Sequence, residues 1–135
     1  MASFNKFNTF TKALAEKVHN LGSDSLKVAL TNTVPVNTNT QLSNLTEISY
    51  TNCSARTITT TSSTQSSGTY KLILTDLTLT AAGTVGPFRY VVLYNDTATN
   101  KELIGWYDNG SAVTLNSPDT FLVDFDGVNG VLQLV

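Results

Sequence analysis

The feature that most constrains this chain is the run over residues 85–110, VGPFRYVVLYNDTATNKELIGWYDNG. Phe88, Tyr90, Val92 and Tyr94 alternate with Arg89, Val91 and Leu93. A period of two sends successive side chains to opposite faces of a strand, and aromatic and β-branched residues suit a pleated, half-buried surface. A polar connector over residues 95–101 leads to a second apolar run holding Leu103, Ile104, Trp106 and Tyr107. Two such runs joined by a short polar loop read as a hairpin at the centre of an all-β domain. The alternation puts Phe88, Tyr90, Val92 and Tyr94 on one face, with Trp106 packing nearby. Asn109-Gly110 is the strongest tight-turn signal in the chain and is expected to reverse it between residues 104–108 and 112–115.

The same reading extends to both sides. Residues 25–31 alternate Leu26, Val28 and Leu30 with Lys27, Ala29 and Thr31, the pattern of a half-buried strand. Residues 47–51 form a short strand with Ile48 and Tyr50 on one face. Residues 56–61 have few apolar anchors and suit a sheet edge, and residues 62–68 suit a flexible turn. Over residues 70–80 the apolar phase shifts: Tyr70, Leu72 and Leu74 are even, Leu77 and Leu79 odd. A bulge, or a bend at Asp76 that carries the strand from one sheet to another, explains the shift. Residues 81–87 turn into the central hairpin, with Gly83 and Gly86 available for positive φ and Pro87 opening the next strand. Residues 116–119 read as a type I-like turn. Phe121, Val123 and Phe125 alternate with Leu122 and Asp124, and residues 131–135 are an apolar final strand. About nine short strands at this spacing define a mainly β fold, an antiparallel β-sandwich or jelly-roll-like domain. That domain occupies residues 23–135.

Residues 1–22 form an N-terminal arm and helix. Phe4, Phe7, Phe10, Leu14, Val18 and Leu21 recur at intervals of three and four. On a helix over residues 3–21 they fall within a stripe roughly 120° wide, and Gly22 supplies the stop. Asn5 and Asn8 are poor helix formers, so an extended arm over residues 2–7 is the alternative. The stripe packs on the body of its own chain or on a neighbouring subunit. Residues 32–44, NTVPVNTNTQLSN, are Pro- and Asn-rich. A loop of this length in a compact domain is usually functional or interfacial. Phe4, Phe7, Phe10, Val34, Pro35 and Val36 are therefore the candidate interaction residues.

Composition narrows the function classes. Only 13% of residues are charged, against roughly 25% in ordinary domains. Hydroxyls and amides take their place, with 22 Thr. The net charge is −2 and the eight basic residues are scattered. Phosphate contacts and anionic membrane surfaces need clustered Lys and Arg, so neither nucleic acid nor membrane is an expected partner. No charged segment leading into an apolar core opens the chain, so no signal peptide is expected. Cys53 is the single cysteine, expected to be inert and partly buried. His19 is the single histidine, expected on the polar side of the helix. Without a base beside a nucleophile the chain reads as a non-enzyme with no cofactor and no catalytic residues. Asp124 and Asp126 in VDFDG suit a solvated turn better than a calcium site, because the oxygen-ligand spacing of a calcium loop is missing. Tyr90, Tyr94, Trp106 and Tyr107 are candidates for a stacking platform, although alternating strand positions favour core.

The stretches GPFRYVVLYNDTATNKELIGWYDNGSAVTL and DTFLVDFDGVNGVLQL resemble small structural proteins encoded among the virion genes of tailed bacteriophages. FNTFTKALAEKVHNLGSDSLKVALTNTVP, the TEISY segment and TYKLILTDLTLTA fit the same group, so the resemblance spans nearly the whole chain. It implies a non-enzymatic particle component. The role it suggests is a capsid decoration or cement protein, synthesised in the host cytoplasm and then resident on the virion capsid surface. Its partners would be the major capsid protein and copies of itself in a homo-oligomer. The alternative is a tail-fibre or adaptor-type module that binds a host receptor or glycan.

Overall fold

The computed structural model describes residues 2–135; Met1, the first residue of the expected arm, lies outside them. The chain runs through β1 (Phe4–Lys6), α1 (Phe10–Ala15), β2 (Leu26–Thr31), a 3-10 turn (Leu42–Asn44), β3 (Thr57–Ile58), β4 (Thr60–Ser66) and β5 (Thr69–Leu74). It continues through β6 (Leu77–Thr80), β7 (Val85–Asn95), β8 (Leu103–Leu115), β9 (Thr120–Val123) and β10 (Leu132–Leu134). The fold is mainly β, antiparallel and sandwich-like, with one short N-terminal helix. A five-stranded sheet in the order β1-β8-β7-β2-β3 packs against a three-stranded sheet, β10-β5-β4, and a two-stranded one, β6-β9.

Strand β7 is the centre of the large sheet, with β2 on one side and β8 on the other. Both of its faces are buried. Val91 and Leu93 join Val28, Leu30 and Ile104 in the main core, where they meet Leu72, Leu74, Leu79, Val123 and Phe125 from the opposing sheets. Val92 and Tyr94 join Ala29, Leu103 and Phe7 in a second cluster on the far side of the same sheet. Each fully buried side chain of this size contributes about 1.5–3 kcal/mol relative to exposure. The expected common face for Phe88, Tyr90, Val92 and Tyr94 is corrected: the register shifts between Phe88 and Tyr90, and Phe88 lies in the main core with Val91 and Leu93.

The same irregularity overturns the expected turn at Asn109-Gly110. Strand β8 runs on from Leu103 to Leu115 without reversing. Phe88 pairs with Val113 and Tyr90 with Asp108, so residues 109–112 bulge out opposite Arg89 alone. Gly110 takes φ 88° and its N–H donates to Asp108 Oδ1 at 2.8 Å. Arg89 then grips the Asp108 carboxylate with two bonds, Nε to Oδ1 at 2.8 Å and Nη2 to Oδ2 at 3.1 Å. The positive-φ preference of the Asn-Gly pair was legible; its use in a bulge rather than a hairpin was not.

The phase change at Asp76 marks a real sheet crossing, since β5 and β6 belong to different sheets. Asp76 Oδ1 accepts the Phe125 N–H at 2.8 Å there. Strand β3 is an edge strand of the large sheet and β4 of the small one, as the sparse apolar anchors of residues 56–61 suggest. Four shorter expectations are corrected. Residues 62–66 are strand rather than turn, reversed at Ser67 and Gly68 with φ 50° and 83°. The 47–51 segment makes only the single bridge Thr31 to Glu47, although Ile48 and Tyr50 both pack on the main core. Of the two glycines before the hairpin only Gly86 takes a positive φ, and Pro87 lies within β7 rather than at its start. The 116–119 turn, closed by the Asp119 N–H on Asn116 O at 2.6 Å, holds a cis Pro118.

The largest correction falls at the N-terminus. The helix spans Phe10–Ala15 rather than residues 3–21, and the alternative of an extended arm over residues 2–7 is the one that fits, since residues 4–6 are a strand on the edge of β8. Lys17 at φ 69° ends the helix well before Gly22. Tertiary pairing overrides the helical spacing of the aromatic residues here.

Candidate interaction surface

Strand β1 lies on β8 because Gly105 leaves room for it. A Cβ at Gly105 would sit 2.3 Å from Phe4 Cζ and 2.6 Å from the Asn5 carbonyl oxygen. Phe4 stacks on Tyr107 with ring centres 5.1 Å apart, and Phe7 stacks on Trp106 at 4.6 Å. The Phe7 N–H donates to Ile104 O at 3.1 Å, and the Asn8 N–H to Asn37 O at 2.9 Å. The second of these bonds ties the N-terminal segment to the 32–44 loop.

That loop covers the outer face of the large sheet. Leu42 and Leu45 pack on the cluster of Phe7, Ala29, Val92, Tyr94 and Leu103. Its backbone is pinned by Leu42 N–H to Lys101 O and Leu103 N–H to Thr40 O, both at 3.0 Å. Asn44 Oδ1 accepts the Thr40 and Gln41 N–H groups at 3.0 and 3.1 Å. Asn39 Oδ1 accepts the Val36 N–H at 2.9 Å. Between loop and strand lies an open cleft of about 620 Å³, lined by Phe4, Asn5, Lys6, Pro35, Val36, Asn37 and Trp106.

Three of the six candidate interaction residues, Phe4, Pro35 and Val36, therefore meet at one place. Val34 and Val36 stand out at 59% and 52% exposed, while Pro35 is buried between them. Phe7 and Phe10 are corrected as docking residues: at 0% and 2% exposed they belong to the two cores of their own chain. Phe4 is half-buried and packs in the same way. Trp106, expected as core, is the addition that the sequence did not assign to this surface. Its place follows once β1 is a strand paired opposite it.

The stacking platform does not form. Tyr90, Tyr94 and Tyr107 are buried, and only Trp106 reaches the cleft. Burial pushes the Tyr107 hydroxyl up to about 12, and Asp124, Asp126 and Asp76 add to the shift. Asp126 caps its own turn by accepting the Val128 and Asn129 N–H groups at 2.9 and 2.8 Å. Those bonds hold its carboxyl below the usual range. Among the described residues no three His, Cys, Asp or Glu side chains converge as metal ligands. Cys53 is half-buried, and burial raises its thiol above the ordinary value, which disfavours the thiolate.

His19 is the residue that the sequence placed wrongly. It is 4% exposed, packed against Phe10 and hydrogen-bonded to Asn95. The expectation of an exposed helical histidine failed with the helix that carried it. No sequence signal pairs residue 19 with residue 95.

Compared with known protein families, characterised proteins and solved structures, the chain matches none.

Proposed function

We propose that this chain is a structural component of a tailed-bacteriophage virion: a non-enzymatic decoration or cement protein that binds the major capsid protein and neighbouring copies of itself on the capsid surface. The resemblance of nearly the whole sequence supplies the class. The observation that carries the role is the pair Val34 and Val36, exposed on a loop whose backbone is fixed by bonds to β8, the connector before it and the N-terminal segment. Apolar side chains on a fixed loop bind with little ordering cost. Weak contacts of this kind become effective when many copies engage one lattice. A Thr-rich, low-charge surface suits such packing, since few charges need desolvating.

The test is the double variant Val34→Asp/Val36→Asp, added to particles of the encoding phage that lack this protein. The expected result is at least a tenfold loss of co-sedimentation with capsids at an unchanged melting temperature. Wild-type occupancy by the variant overturns the role of the loop. Absence of the chain from purified particles by mass spectrometry overturns the virion reading. Gold labelling confined to the tail would instead support a receptor- or glycan-binding module.

A further inference from the structure

The geometry points to the His19–Asn95 contact as an acid-released latch between the loop that follows α1 and the connector between β7 and β8. Asn95 is 0% exposed and its amide is fixed from both sides. Its Oδ1 accepts the Thr97 and Ala98 N–H groups at 3.0 and 3.1 Å. Its Nδ2 donates to Asp24 Oδ2 at 2.7 Å and faces His19 Nδ1 at 3.0 Å. Turning the amide over would set an oxygen against the Asp24 carboxylate and strip both backbone donors of their acceptor. Asn95 must therefore donate to His19 Nδ1, and His19 must be neutral with its hydrogen on Nε2.

The only nitrogen that can take a further proton is then the one in use. An imidazolium would present N–H to N–H at Asn95, so protonation breaks the contact. Asp24, on the loop before β2, and Glu102, the last residue before β8, both favour the imidazolium. Lys17 on the loop lines the cleft alongside. On the connector, Asp96 is engaged by Lys27 from β2 at 3.6 Å and by Lys101 at 3.3 Å. From α1 the neighbour is the uncharged Phe10 ring at 5.2 Å, and from β5 Tyr70, its hydroxyl bonded to Ser63, lines the same cleft as His19. Burial outweighs the two carboxylates and holds His19 below its ordinary value. His19 Nε2 and Glu102 Oε2 are in addition buried without a partner among the described residues, so the corner is closed at a cost.

Because the folded state binds this proton less readily than the unfolded chain, the latch is intact above the ordinary histidine range and weakens as pH falls below it. Its release loosens the hold of Asn95 on the Thr97 and Ala98 N–H groups beside the cleft of about 380 Å³ between Lys17, Val18, Asp24 and residues 97–100, while Ser25 stays bonded to Asp96 and Thr97. His19 is the only histidine, so nuclear magnetic resonance reads it without ambiguity in the full chain. The expected result is the Nε2–H tautomer at pH 7.5 and a titration midpoint below 6.5. The Thr97 and Ala98 amides should lose exchange protection through the same midpoint, after correction for intrinsic rates, while Val91 and Val92 keep theirs. His19→Gln should abolish that acid-dependent loss. Asn95→Asp, which places a carboxylate against the ring, should raise the midpoint above the wild-type value. An Nδ1–H tautomer, a midpoint at or above 6.5, or the same acid-dependent loss in His19→Gln would each overturn the latch.

Discussion

Two segments close over the region where β7 and β8 meet, and they do so by different physics. The N-terminal segment is held by shape: Phe4 over Gly105, Phe7 against Trp106, and an apolar cluster beneath. The loop after α1 is held by a small set of directional bonds around Asn95. Packing of the first kind is insensitive to pH and fails when volume changes. The second kind tolerates changes in volume and fails when one donor or acceptor changes. The first corner carries the proposed binding surface, which needs a fixed platform. The second contains the chain's only histidine.

The comparison breaks most severely at Phe7. Phe7→Ala removes a ring that is 0% exposed and lies beneath the 32–44 loop. The expected loss is about 3–5 kcal/mol, measured as a lower urea midpoint, with the fluorescence of Trp106 reporting the lost stacking partner. Gly105→Ala strikes the same corner from the other side. The Phe4 ring can swing away from the new methyl group, but the Asn5 carbonyl at 2.6 Å cannot without moving β1. The expected cost is about 1–3 kcal/mol, with faster amide exchange confined to residues 4–7. Neither deficit should change between pH 7.5 and pH 5. A marked pH dependence in either would blur the distinction between the two corners.

How much of this was legible in the sequence follows from the range of the forces involved. Strand periodicity is local, so β2, β5, β7 and the phase shift at Asp76 could be read directly, while the choice between a bulge and a sheet crossing there needed the sheet order. The N-terminal phenylalanines were misleading because spacings of three and four suit a helix, whereas here the residues serve a strand, a buried plug and a short helix in turn. What decides between those outcomes is the absence of a side chain at Gly105, about a hundred residues away in sequence. Val34 and Val36 were identified as an interaction candidate from loop length and composition, and their exposure fits that reading. The meeting of Phe4, Pro35, Val36 and Trp106 required the pairing of β1 with β8. His19 could not be found at all, because its burial depends on a helix ending at Ala15 and on an amide from the other half of the chain.

The smallest expected effect is also the one that separates the corners most clearly. Asn95→Ala leaves the Thr97 and Ala98 N–H groups without their acceptor and takes one of two donors from Asp24 Oδ2, which keeps the Asn20 N–H at 2.8 Å. Thr97 is exposed and water can serve its N–H, so the expected loss at pH 7.5 is about 1–2 kcal/mol. In the wild type, stability falls as pH drops below the ordinary histidine range, because the folded state resists protonation of His19. In the variant no amide bars Nδ1, and the Asp24 carboxylate can face the imidazolium. The deficit of Asn95→Ala should therefore narrow as the pH is lowered from 7.5 to 5, whereas those of Phe7→Ala and Gly105→Ala stay constant. Paired urea titrations at the two pH values make the measurement. Parallel pH profiles for all three variants would mean that the polar corner, like the apolar one, is held by shape alone.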